Sequence, residues 1–87
     1  MSAIENAVRD AYQKLSVKIQ DWVPLRTLRP LLPGSRDEQD AVLRGLLRTG
    51  QIHLAPDSNR KVLTDADHAA AIHIGGEDKH LMAIDAD

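Results

Sequence analysis

The sequence predicts an α+β, mainly helical domain: a three-helix core closed by a small antiparallel sheet, with an extra short helix inside the long connection between the last two strands. Three observations lead there. Two stretches place apolar residues at spacings of three and four, and each is preceded by a serine three residues ahead of a glutamate (Ser2 and Glu5, Ser35 and Glu38). That pattern satisfies two orphan backbone donors reciprocally and marks a helix start. A Pro-Gly-Ser turn at 33–35 links the second stretch to a short leucine-rich segment. Residues 51–55 alternate polar and apolar, and residues 80–84 read as a closing strand able to pair with them.

The first helix is expected to run from the Ser2 cap to about residue 20, because Ile4, Ala7, Val8, Ala11, Tyr12, Leu15 and Ile19 fall on one face. Arg9, Lys14 and Lys18 then remain in solvent. Trp22 and Val23 are apolar and β-prone, and Pro24 biases Val23 to an extended backbone, so a minimal first strand is expected there. Aromatics make up only 2% of the chain, which leaves Leu, Ile and Val to build the core and Trp22 as its expected large anchor.

Pro24 suits the first position of a second helix, whose buried side would be Leu25, Leu28, Leu31 and Leu32. Pro30 removes the bond to the Arg26 carbonyl, so that helix is short or bent, and Pro33-Gly34 ends it. The third helix opens at Ser35 and runs to Thr49, with Gly50 as a left-handed terminator. Its buried stripe is Val42, Leu43, Leu46 and Leu47, with Gln39 projecting toward it. Its exposed arc is Asp37, Asp40, Ala41, Arg44, Gly45 and Arg48.

Ile52 and Leu54 point inward from the strand that follows. Residues 56–59 form a turn cluster, and Arg60-Lys61 after it is the one basic pair of the second half. Thr64 with Asp67 is a third capping pattern, ahead of an alanine-rich segment at 69–74 that reads as a fourth helix ending at Gly75-Gly76. Residues 85–87 are expected to fray.

Eighty-seven residues make one domain. The absence of cysteine excludes disulfides and thiolate zinc sites. No run approaches the roughly 20 apolar residues that span a bilayer, so a soluble cytoplasmic protein without membrane contact is expected. Net charge is −2, but it is unevenly spread: residues 24–50 carry five basic against three acidic side chains, and residues 51–87 carry three against seven. Only the segment holding the second and third helices is net basic.

Residues 24–28 (Pro-Leu-Arg-Thr-Leu) through 46–52 (Leu-Leu-Arg-Thr-Gly-Gln-Ile) resemble the winged helix-turn-helix superfamily of bacterial DNA-binding proteins. The likeness covers most of residues 4–55 and rests on the apolar pattern with its Gly-x-Ile ending. The tail, with Leu63-Thr64-Asp65 and residues 75–81, is similar to the tails of small uncharacterised actinobacterial proteins and brings no activity with it. Three departures from the family pattern stand out. The two wing strands are separated by 24 residues (55–78), the front of the third helix carries Asp37, Glu38 and Asp40, and Gln39 stands where the family generally has an apolar residue.

The resemblance implies double-stranded DNA as partner and transcriptional regulation as role, with the third helix in a major groove. Arg36, Asp40 and Arg44 would read base edges, since arginine suits guanine and a carboxylate suits the cytosine amine. Arg26, Arg29, Arg48, Arg60 and Lys61 would contact phosphates. The bland reading of these side chains is a solvated surface, with Asp40 and Arg44 as an i,i+4 ion pair.

The alternative function is a protein–protein interaction or dimerisation module on the same scaffold without DNA binding, suggested by the nearly neutral surface and the small residues Ala41 and Gly45. A twofold dimer through the first helix is compatible with either. Catalysis, a metal and a cofactor are not expected. His53, His68, His73 and His80 lack the i,i+4 spacing of a zinc helix and read as surface or strand residues, and the glycine pair is followed by Glu77 and Asp78 rather than a phosphate-binding lysine.

Overall fold

The computed structural model describes residues 3–16, 21–58 and 60–84, apart from the side chain of Arg60. These residues form four α-helices and five short strands. In chain order they are α1 (Ala3–Leu15), β1 (Val23–Pro24), α2 (Leu25–Leu28), α3 (Arg36–Arg48), β2 (His53–Ala55), α4 (Asp65–Ala70), β3 (Ile72–Ile74), β4 (Glu77–Lys79) and β5 (Leu81–Ala83). Short 3-10 turns at Arg29–Leu31 and Arg60–Val62 follow α2 and precede α4. The Ser2 cap, the continuation of the first helix through Lys18 and Ile19 to residue 20, and the frayed end at 85–87 lie outside the described residues.

β5 lies between β1 and β2, antiparallel to both, so Met82 faces Val23 on one side and Leu54 on the other. The apolar faces of α1, α2 and α3 close over this sheet. Val8, Leu25, Leu28, Leu43, Ile52, Ile72 and Met82 are its fully buried side chains. At roughly 1.5–3 kcal/mol for each fully buried aliphatic side chain, this cluster is the main stabilising term in a chain with no disulfide.

Capping chemistry sets the helix limits as the sequence implies. Ser35 Oγ accepts from the Glu38 amide while the Glu38 carboxylate accepts from the Ser35 amide, and Thr64 with Asp67 repeats the arrangement at α4. Gly50, with φ of 78°, follows the end of α3. Gly34 has φ of 86°, the left-handed region that favours glycine, and a Cβ there would sit 2.8 Å from Ile4 Cδ1, so the end of that side chain would have to shift. Pro30 falls in the 3-10 turn, and α2 is correspondingly only four residues long.

Four expectations are corrected. Trp22 is 46% exposed and is no core anchor, because Val23 takes the inward position at the start of β1 and its neighbour must point the other way. Leu31 is likewise exposed, since the 3-10 turn around Pro30 rotates it off the buried side, leaving Leu25, Leu28 and Leu32 inside. Pro24 precedes α2 in an extended conformation instead of opening it.

The largest difference is at 69–74. The helix stops at Ala70, and Ile72–Ile74 is a strand paired with Glu77–Lys79, joined by Gly75-Gly76 at φ 64° and 82°. Two successive positive φ values make the two-residue hairpin turn that matches strand twist, so the glycine pair reverses a ribbon and does not stop a helix. The alternation of Ile72, His73 and Ile74 outweighs the helical preference of the preceding alanines, because Ile72 completes the core.

Candidate functional site

The side of α3 that would enter a groove carries Arg36, Asp40, Arg44 and Arg48. The first three are turned onto the protein's own chain. Arg36 Nη1 donates to the Ala69 carbonyl at 2.5 Å and Nη2 to the Ala71 carbonyl at 2.7 Å, while its Nε reaches Asp40 Oδ1 at 3.2 Å. Arg44 Nη2 donates to the His73 carbonyl at 3.2 Å. The cause is the short helix beneath them. α4 ends with carbonyls that have no helical donor, and a guanidinium fork can serve two acceptors at once. Arg36 therefore acts as a C-terminal cap for α4, supplied from another helix.

Arg29 does the same from the other side. Its side chain is 9% exposed, and its Nε donates to the Ala70 carbonyl at 2.7 Å, Nη1 to Gln39 Oε1 at 3.1 Å and Nη2 to Asp40 Oδ1 at 2.7 Å. Burial pulls this guanidinium below the ordinary arginine value, opposed by its hydrogen bond to Asp40. Gln39, the polar residue on the buried stripe, is used as a relay: its Oε1 accepts from Arg29 and its Nε2 donates to the Leu32 carbonyl at 3.3 Å. Asp40 pairs with Arg29 and Arg36, and Arg44 looks instead to the hairpin, so the expected Asp40 to Arg44 ion pair is replaced by tertiary partners.

Arg26 Nε donates to Asp67 Oδ1 at 2.8 Å. The other carboxylate oxygen accepts from the Thr64 amide and hydroxyl, each at 2.9 Å. The backbone bond from Thr64 is the leading cause that holds Asp67 below the usual carboxylate range, with the Thr64 hydroxyl and Arg26 adding to it against the cost of burial. Of the remaining candidates, Arg48 and Lys61 are exposed and make no hydrogen bond or ion pair with another described residue. The side chain of Arg60 lies outside the described residues.

Between these elements is a shallow, open cleft of about 460 Å³. Arg26, Arg29 and Pro30 form one wall, Arg36 and Gln39 close an end, and Ala66, Ala69 and Ala70 of α4 form the other wall. Among the described residues no carboxylate lines it. Asp40 and Asp67, the partners of the arginines, stand outside the lining.

His53, His68 and His73 are exposed, the His68 ring stands edge to face with that of His80 at 6.0 Å, and His73 Nδ1 pairs with Asp78 at 2.8 Å on the hairpin, which holds Asp78 below its ordinary value. His80 departs from the surface or strand reading by being buried just ahead of β5. Its Nδ1 accepts from the Asp57 amide at 3.1 Å, and its backbone joins Leu25 to Ala55, so it is a structural tie between the sheet and the 55–57 turn. Among the described residues no group of three His, Asp or Glu side chains is placed to hold a metal ion, and no helix is long and apolar enough to cross a membrane.

The residues that define this site were partly invisible in the sequence. Arg26, Arg29, Arg36, Asp40 and Arg44 are among the candidates named from the chain; the fold gathers the first four beside α4 and turns Arg44 to the hairpin. Their partners are the carbonyls of Ala69, Ala70, Ala71 and His73, which carry no side-chain signature. Asp67 was legible as a cap but not as the partner of Arg26. Comparison of the chain with the models of known protein families, with curated proteins and with solved structures gives no match.

Proposed function

We propose that this chain is a protein–protein interaction module on a winged helix-turn-helix scaffold, and that α3 is not used to read DNA. The scaffold reading is supported by the order helix, strand, two helices, strand, with β5 returning between the first two strands. One observation carries the functional reading: Arg36, Asp40 and Arg44, the side chains suited to base edges, are committed to residues of the same chain.

Turning Arg36 and Arg44 toward a groove would give up their hydrogen bonds to the Ala69, Ala71 and His73 carbonyls and leave the end of α4 to be satisfied by water. A net charge of −2 adds no long-range attraction to phosphates.

The test is fluorescence anisotropy of a labelled mixed-sequence duplex over a salt series, run beside in-cell photocrosslinking from Ala41 and from Ala66, both exposed. The expected result is no duplex affinity even at low salt and a discrete crosslinked protein from at least one position. Salt-sensitive duplex binding abolished by the pair Arg44→Glu and Arg48→Glu would overturn the reading in favour of DNA recognition through α3.

A further inference from the structure

The cleft between α2, α3 and α4 is lined by three arginines and no carboxylate, although the chain as a whole is acidic. Its arginines are not equivalent. Arg29 and Arg36 have every nitrogen engaged by the chain itself, whereas the side chain of Arg26 is 44% exposed. Arg26 uses Nε for Asp67, and its two terminal nitrogens make no hydrogen bond with a described residue. Arg26 stands at the first turn of α4 and Arg36 at its last. Between them Ala66, Ala69 and Pro30 offer only small apolar surface.

We propose that this cleft binds an acidic peptide segment of a partner protein, a carboxylate pairing with the terminal nitrogens of Arg26 and a small side chain resting on Ala66 and Ala69. The inference rests on the interaction reading above and names the partner's chemistry. The free face of Arg26 has the planar donor geometry that accepts a carboxylate in a bidentate manner. The alanine floor offers small apolar surface to a backbone or side chain, and the cleft is too shallow to enclose a small molecule.

The probe is a fluorescein-labelled octapeptide of alternating Glu and Ala, compared with the Gln/Ala and Lys/Ala peptides and with a labelled DNA duplex. Ala66→Glu is the deciding variant. It installs a resident carboxylate in the cleft at an exposed position in the first turn of α4, where a negative charge favours the helix, so the fold should survive. Arg26→Gln removes the free donors, and Ala41→Glu serves as the control on α3.

The expected result is binding of the Glu/Ala peptide that weakens with salt, at least tenfold weaker binding of the other two peptides, and at least tenfold loss in Ala66→Glu and Arg26→Gln but not in Ala41→Glu. No binding of the Glu/Ala peptide, or binding indifferent to Ala66→Glu in a variant of unchanged melting temperature, overturns the proposal. A crosslinked partner that persists in Ala66→Glu would leave the interaction reading standing while this cleft fails. Duplex binding lost in Ala66→Glu would overturn both, placing nucleic-acid phosphates in the cleft.

Discussion

Replacing Arg29 by methionine keeps most of the apolar stem and removes the guanidinium, so it isolates the polar role assigned to this side chain. Three acceptors lose their donor: the Ala70 carbonyl, Gln39 Oε1 and Asp40 Oδ1. A hydrogen bond to a charged group contributes about 1.5–3 kcal/mol, and breaking a buried ion pair costs about 3–5 kcal/mol. These figures must be discounted here. Asp40 keeps Arg36 and is itself partly exposed, and the open cleft lets water reach the Ala70 carbonyl. The expected net loss is therefore about 2–4 kcal/mol, against a total stability of about 5–15 kcal/mol for a domain of this kind.

Urea unfolding followed by circular dichroism measures that loss directly, and each 1 kcal/mol should lower the melting temperature by about 4–8 °C in a chain of this length. A double-mutant cycle with Asp40→Asn should give a coupling of at least about 1 kcal/mol, because the two side chains touch. Arg48→Ala, at a site without a described partner, should change stability by less than about 0.5 kcal/mol. A loss below about 1 kcal/mol for Arg29→Met would refute the reasoning. It would mean that Arg29 is a solvated side chain and that the end of α4 is satisfied by water.

Two further outcomes follow from local geometry. Gly45→Ala should stabilise the protein by about 0.5–1 kcal/mol in thermal or urea unfolding, since a Cβ there meets nothing within 4 Å and the residue sits inside α3, where glycine is entropically costly. Asp67 should give the stability curve an acid limb: its folded pKa is depressed, so its contribution is complete above the ordinary carboxylate value of about 4 and is lost as pH falls through the lower folded value. Asp67→Asn should remove that part of the dependence in acid-induced unfolding, and an unchanged acid limb would show that its pairing with Arg26 and Thr64 contributes nothing.

Features set within a few residues are legible in the chain alone. The Ser35 and Thr64 caps, the glycine that ends α3, the disruption at Pro30 and the inward Leu43 and Leu46 all depend on spacings of three or four along one helix. The pairing of 53–55 with 81–83 was legible for a related reason, because the strand after α3 needs a partner and residues 80–84 read as a closing strand. Residues 69–74 were misread because alanines favour a helix locally, whereas the gain from placing Ile72 in the core and closing a hairpin over Gly75-Gly76 comes from residues elsewhere. Trp22 was misread because composition says which side chains are large, not which way a two-residue strand faces.

The use of the arginines was decided only by the tertiary structure. Apart from the local Arg36 to Asp40 pair, Arg26, Arg29, Arg36 and Arg44 find their partners between 10 and 41 positions away, and several of those partners are backbone carbonyls. A carbonyl at the end of a short helix looks the same in every sequence. Whether it is met by water, by a cap or by a guanidinium from another helix depends on which surfaces the core brings together.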